Sequence, residues 1–102
     1  MDKTIYILGV GRNTIVTIVL AWSCGYTVGG LFHYLDDRTG EEYFGHRIIG
    51  SNREIFSKDL SGMSFAISVG DNNIRYELYN RIIRQGGNVP ILIHPTAVVS
   101  KY

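Results

Sequence analysis

Only one cysteine and two prolines occur in these 102 residues, and neither sign of charge prevails. A lone Cys24 closes no internal disulfide, which fits a reducing compartment, and its apolar neighbours read it as a buried thiol. Ten basic residues against nine acidic ones leave a formal charge of +1, so the surface lacks the basic excess that a nucleic-acid partner needs. Long apolar runs are missing as well. Thr14 to Trp22 falls short of the roughly twenty residues that span a bilayer, and no cleavable leader pattern precedes it. These absences point to a cytoplasmic protein without membrane insertion.

Reactive constellations are equally scarce. No spacing of His33, His46 and His94 suits a metal, and each reads as structural or solvated. There is no nucleophile elbow, no Cys/His pair and no Walker-type glycine-lysine loop. The sequence therefore nominates no catalytic residue and no metal ligand.

What is present is an ordinary globular composition. Hydrophobic residues make up 45% and charged ones 19%, enough for one domain with a modest core. Lys3 to Leu8 is a short β-rich run stopped by glycine, as in a strand buried on both faces. Thr14 to Cys24 reads as a helix held by packing, since its β-branched residues are weak helix formers, and Gly25 stops it. Tyr26 to Leu35 is a second strand, and Arg38 to Gly45 is polar and turn-like. Arg47 to Ile49 reads as a brief strand, with a helical turn over Asn52 to Phe56 behind a Ser51 cap. Phe65 to Val69 is a strand, and Asn72 to Gln85 a helix striped by Ile74, Leu78, Tyr79, Ile82 and Ile83. Pro90 to Ile93 reads as a last strand. Strands alternating with helices imply parallel pairing. The expected fold is a small α/β, Rossmann-like three-layer domain with a mainly parallel sheet of about four strands.

Three segments could carry chemistry. In Gly9-Val10-Gly11-Arg12-Asn13-Thr14, glycines between a strand and a helix let backbone N–H groups approach a phosphate, although tight turns also use glycine for geometry alone. Asp36 and Asp37 stand near the end of the second strand, where dinucleotide folds hold a ribose hydroxyl; solvated turn aspartates are the plainer alternative. Ser68 to Arg75, with Gly70, Asp71, Asn72 and Arg75, leaves the end of the Phe65 strand where ligands of open sheets bind, facing the same crevice as Gly9 and Asp36. Capping of the next helix by Asp71 or Asn72 is compatible with that role.

Taken in order, Ile7 to Thr14, Tyr34-Leu35-Asp36-Asp37, Val69 to Arg75 and Ile93-His94-Pro95-Thr96-Ala97-Val98-Val99-Ser100 resemble the N-terminal domain of one acyltransferase family. It is the bacterial sialic acid O-acetyltransferase and bacillosamine-pathway sugar N-acetyltransferase family, whose members run on into a left-handed parallel β-helix. The family's glycine-histidine pair in the first turn is Arg12-Asn13 here, and its third glycine or alanine is Thr14. The resemblance implies residues 1–94 as a nucleotide-sugar-binding domain and 95–102 as the start of a linker to an absent β-helix. It implies a UDP-linked amino sugar as partner, held by Gly9, Gly11, Arg12, Asn13, Asp36, Asp37, Gly70, Asp71, Asn72 and Arg75. Acetyl-CoA and the basic histidine belong to the family's trimeric β-helix, so this chain alone is expected to bind no cofactor and to be inactive in cell-surface glycan acetylation. Two other readings stay open: a stand-alone NAD- or nucleotide-binding regulatory domain, and a structural module whose glycine turns serve geometry only.

Overall fold

Ile5 and Ile7 alternate with Tyr6 and Leu8, so one strand sends side chains to two opposite faces, and both faces are covered. The structure, a computed structural model, describes residues 3–92. Strand β1 (Thr4–Leu8) pairs in parallel with β2 (Thr27–His33) on one side and β5 (Phe65–Ile67) on the other. Beyond β2 lies β4 (His46–Ser51), also parallel, and beyond it β3 (Glu42–Tyr43), antiparallel. The sheet order is β3-β4-β2-β1-β5.

One face carries Ile5, Ile7, Val28, Leu31, Ile48 and Ala66, covered by Ile18 and Ala21 of helix α1 (Thr14–Ser23). The other carries Leu8, Phe32, Phe65 and Ile67. It is covered by Ile55 of the short helix α2 (Asn52–Ile55), by Phe56 and Leu60 after it, and by Ile82 of α3 (Asn72–Arg84). Helix α1 forms despite six β-branched residues in its first six positions because its buried stripe, Thr14, Ile18 and Ala21, is pressed onto the sheet.

The expected Rossmann-like domain with a mainly parallel sheet of about four strands is corrected: the sheet has five strands and is mixed. Its antiparallel pair is a hairpin whose two turn residues, Phe44 and Gly45, both have positive φ, 52° and 79°. That is the requirement of a type I′ turn, which asparagine and glycine normally advertise; a phenylalanine in the first place hides it. Phe44 is held there edge-on against Tyr43, ring centroids 4.7 Å apart. The polar stretch 38–45 thus ends in a hairpin, and the brief strand expected at Arg47 to Ile49 extends to His46–Ser51.

The last expected strand, Pro90 to Ile93, is not formed at residues 90–92, and Ile93 lies outside the described residues. Pairing is confined to a parallel bridge of Asn88 with Ser64, where the Phe65 amide donates to the Asn88 carbonyl at 2.8 Å. Pro90 has no N–H with which to continue a ladder. Along α3 only Ile82 of the expected apolar stripe is fully buried; Ile74, Tyr79 and Ile83 are each more than two-fifths exposed. Cys24 is half-buried rather than buried. No described helix is long and apolar enough to cross a membrane.

Candidate functional site

Parallel strands present their carboxyl ends along one edge, and the loops that leave them there enclose a cleft of about 610 Å³. In sheet order these loops are Asn52 after β4, Tyr34 after β2, Gly9 to Asn13 after β1, and Ser68 to Gly70 after β5. Open α/β sheets bind their ligands at this edge. A second groove, about 480 Å³, lies between α1, α3 and residues 89–92, beside the end of β5.

The glycine turn is built by its neighbours. Gly9 has φ +104°, its N–H donates to the Phe32 carbonyl at 2.9 Å, and its carbonyl accepts from Ser68 Oγ at 2.6 Å. Thr14, fully buried, accepts the Gly11 N–H at 2.7 Å through Oγ1 and lies 3.4 Å from both the Gly9 carbonyl and Ser68 Oγ. A threonine at the third position of the turn therefore works as a fastener, spending the Gly11 amide inside the protein. The following amides, of Arg12 and Asn13, have no acceptor among the described residues. Asn13 is the N-cap of α1 but makes no side-chain cap, so the positive end of the helix dipole opens toward the cleft. A Cβ on Gly11 would meet nothing within 4 Å; one on Gly70 would come within 3.3 Å of Asn13 Nδ2.

The structure brings Gly9, Gly11, Arg12, Asn13 and Gly70 together on this cleft. The other expected residues lie elsewhere. Asp36 is engaged in an ion pair with Arg53 at 2.7 Å. The Ser51 hydroxyl and that guanidinium hold the Asp36 carboxyl below the usual carboxylate range. Asp37 is exposed in the 3₁₀ turn Asp36–Arg38. Asp71 caps α3, its Oδ1 accepting from the amides of Asn73 at 2.9 Å and Ile74 at 3.0 Å. Asn72 and Arg75 line the second groove, with Arg75 Nη2 donating to the Ile67 carbonyl at 3.3 Å. Among the described residues no cluster of three or more His, Cys, Asp or Glu could hold a metal.

Sequence reasoning placed Ser68 and Ile74 in a segment facing this crevice but missed Tyr34, Asn52 and Leu78 as cleft residues. Their shared signal was position: each stands just past a strand end or on the first turns of α3. His33, beneath Tyr34, is structural. It is buried and stacked on Tyr34 at 4.8 Å, and its Nδ1 accepts the Leu35 N–H at 2.9 Å. Burial, helped by the Arg38 charge, pulls its pKa below the ordinary imidazole value, outweighing Glu41 and Asp37. With the folded value depressed, this contribution to stability is present above the unfolded pKa and is lost as pH falls through the folded one. We expect the melting temperature to decline between about pH 7.5 and 5.5 more steeply for the wild type than for His33→Asn, whose Oδ1 can accept the same amide without titrating. Parallel pH profiles of the two proteins would contradict this.

The fold and cleft define the class: a small, mixed-sheet α/β domain with its cavity at the carboxyl ends of parallel strands. Comparison of structures narrows it. The chain is similar to a variant of perosamine N-acetyltransferase from Caulobacter crescentus, solved with CoA and GDP-perosamine, at 28% identity and a TM-score of 0.79 over 95% of this chain and 45% of that one. It is also similar to the acetyltransferase domain of PglB from Neisseria gonorrhoeae, solved with acetyl coenzyme A, at 29% identity and a TM-score of 0.73 over 93% and 45% of the two chains. No family model and no curated protein matches the sequence. The chain is thus similar to solved sugar N-acetyltransferases of the hexapeptide β-helix family, the resemblance its motifs suggested. It spans slightly under half the length of those solved chains.

Proposed function

We propose that this chain is the substrate domain of a sugar acetyltransferase and that its cleft holds a nucleoside-diphosphate-linked amino sugar. The observation that carries this is the Gly11 position: open space on a glycine turn, beside unpaired amides at the uncapped start of α1. Such a helix start favours a phosphate through its amides and its dipole. The exposed Arg12 adds a cation on the same rim, suited to a diphosphate oxygen. The motif resemblance favours a uridine nucleotide, while the perosamine enzyme was solved with a guanosine one.

In this reading residues 1–94 bind and orient the sugar nucleotide, and 95–102, beyond the described residues, lead toward a β-helix. Acetyl-CoA would supply the activated acetyl group there. The described residues offer a binding surface and no general base on the cleft, so their part is to position the acceptor amine or hydroxyl.

Titration calorimetry on the chain with UDP, GDP and NAD tests the proposal. UDP or GDP should bind and NAD should bind more weakly. Gly11→Ala should weaken the favoured nucleotide about tenfold, a change of about 1.4 kcal/mol. Since its Cβ meets no protein atom, its stability should stay within about 0.5 kcal/mol of wild type. Preference for NAD, or unaltered nucleotide binding by Gly11→Ala, would overturn the reading.

A further inference from the structure

At one end of the cleft stand two side chains that folding leaves unexplained. Tyr34 is 70% exposed although aromatic, with one ring face on His33 and the other free. Asn52 is half-buried, and its Oδ1 is fully buried without a hydrogen-bond partner, alone in this among the described residues. Both line the cleft. His33 and Ser51 are register partners in β2 and β4, so the residues that follow them, Tyr34 and Asn52, leave neighbouring strands at one level. Two strand spacings, about 10 Å, separate β4 from β1 and its glycine turn.

We infer that this end of the cleft receives the nucleobase, which stacks on the free face of Tyr34 and is read along its hydrogen-bonding edge by the Asn52 amide. The inference rests on the cleft being a nucleotide site and adds where the base lies and which residues recognise it. Three physical arguments carry it. Buried polar atoms in folded proteins are almost always paired, so an orphan amide oxygen on a cleft wall calls for a donor brought by a ligand. A turn about its χ2 presents that oxygen and the adjacent N–H₂ side by side. Uracil and guanine each offer the complement, a ring N–H next to a carbonyl.

The second argument is rigidity. Base stacking on an aromatic ring is effective when the ring is already held in place. His33 supports Tyr34 from below and is itself held by burial and by the Leu35 amide. The exposed Asp36–Arg53 ion pair links the segment after Tyr34 to the segment after Asn52. Asp36 thus braces the base end from outside the cleft. The third argument is direction. With the diphosphate at Arg12 and Asn13, a base at Tyr34 and Asn52 leaves Ser68, Val69, Gly70 and Ile74, on the opposite side of β1, for the sugar.

The test is calorimetry of the whole chain with UDP, GDP and inorganic pyrophosphate, together with thermal melts. Asn52→Ala and Tyr34→Ala should each weaken the favoured nucleoside diphosphate about tenfold and leave pyrophosphate unchanged; Tyr34→Phe should stay within about twofold of wild type. Asn52→Ala should melt no lower than wild type, because it removes an unpaired buried oxygen. Wild-type nucleotide affinity in both alanine variants, or an equal loss for pyrophosphate, would overturn the inference while leaving the nucleotide site standing. Failure of the wild type to prefer either nucleotide over pyrophosphate would overturn the site and the inference together.

Discussion

Gly9→Ala is expected to cost about 2–4 kcal/mol of stability, combining a left-handed backbone penalty with overpacking. For a domain of this size that lowers the melting temperature by roughly 10–20 °C. Gly9 sits at φ +104°, and a Cβ there would come within 2.9 Å of Val69 Cγ2 and 3.1 Å of Ser68 Oγ. Relief by shifting the backbone is blocked. The Gly9 amide is tied to β2 through the Phe32 carbonyl, and its own carbonyl is tied to Ser68 beside β5. Thermal and urea melts of the variant check this; a loss under about 0.5 kcal/mol would show that the turn relaxes freely. The contrast with Gly11→Ala is the informative part. Two glycines two residues apart should separate, one serving the fold and the other leaving room for a ligand.

Thr14→Val should cost about 1–3 kcal/mol, the penalty for stranding a donor that has lost its buried partner. Valine keeps the shape of threonine and removes only the hydroxyl. The Gly11 N–H would then lose its acceptor at 2.7 Å, and Ser68 Oγ would lose a neighbour at 3.4 Å. Thr14→Ser, which keeps Oγ, should recover most of the loss. Equal melting of the valine variant and the wild type would mean that Thr14 is a packing residue only.

Much of the architecture was legible in short stretches. Lys3 to Leu8 before Gly9, the β-branched run from Thr14, and Phe65 to Val69 before Asn72 place β1, α1, β5 and α3 within one or two residues of their positions. Each signal is local: a strand's burial, a helix's stripe and a glycine stop arise from residues in contact along the chain. The glycine-turn part of the cleft was legible for the same reason, since Gly9 to Asn13 form one continuous turn. The hairpin was not, because Phe44 holds a positive φ that its residue type does not announce.

The candidate site divides along the same line. Asp36 looked like a ligand residue by its place after a strand, yet its partner is Arg53, seventeen residues further on. Asp71 reads as a helix cap compatible with a place at the crevice, and its bonds to Asn73 and Ile74 show the cap. Asn52 reads only as the start of a helical turn and Tyr34 only as one residue of the Tyr34-Leu35-Asp36-Asp37 segment; neither residue type points by itself to a cleft wall.

By itself, then, the sequence determined the β1 turn, the helices that flank the sheet and the resemblance to sugar acetyltransferases, all of them written in contiguous residues. Only the tertiary structure decided that the sheet is mixed, that Thr14 fastens the glycine turn to Ser68, and that Tyr34 and Asn52 share one wall of a cleft. Those facts depend on strand register and on partners far apart in the chain. Which strands become neighbours is settled by burying both faces of the sheet at once, and no single segment encodes that.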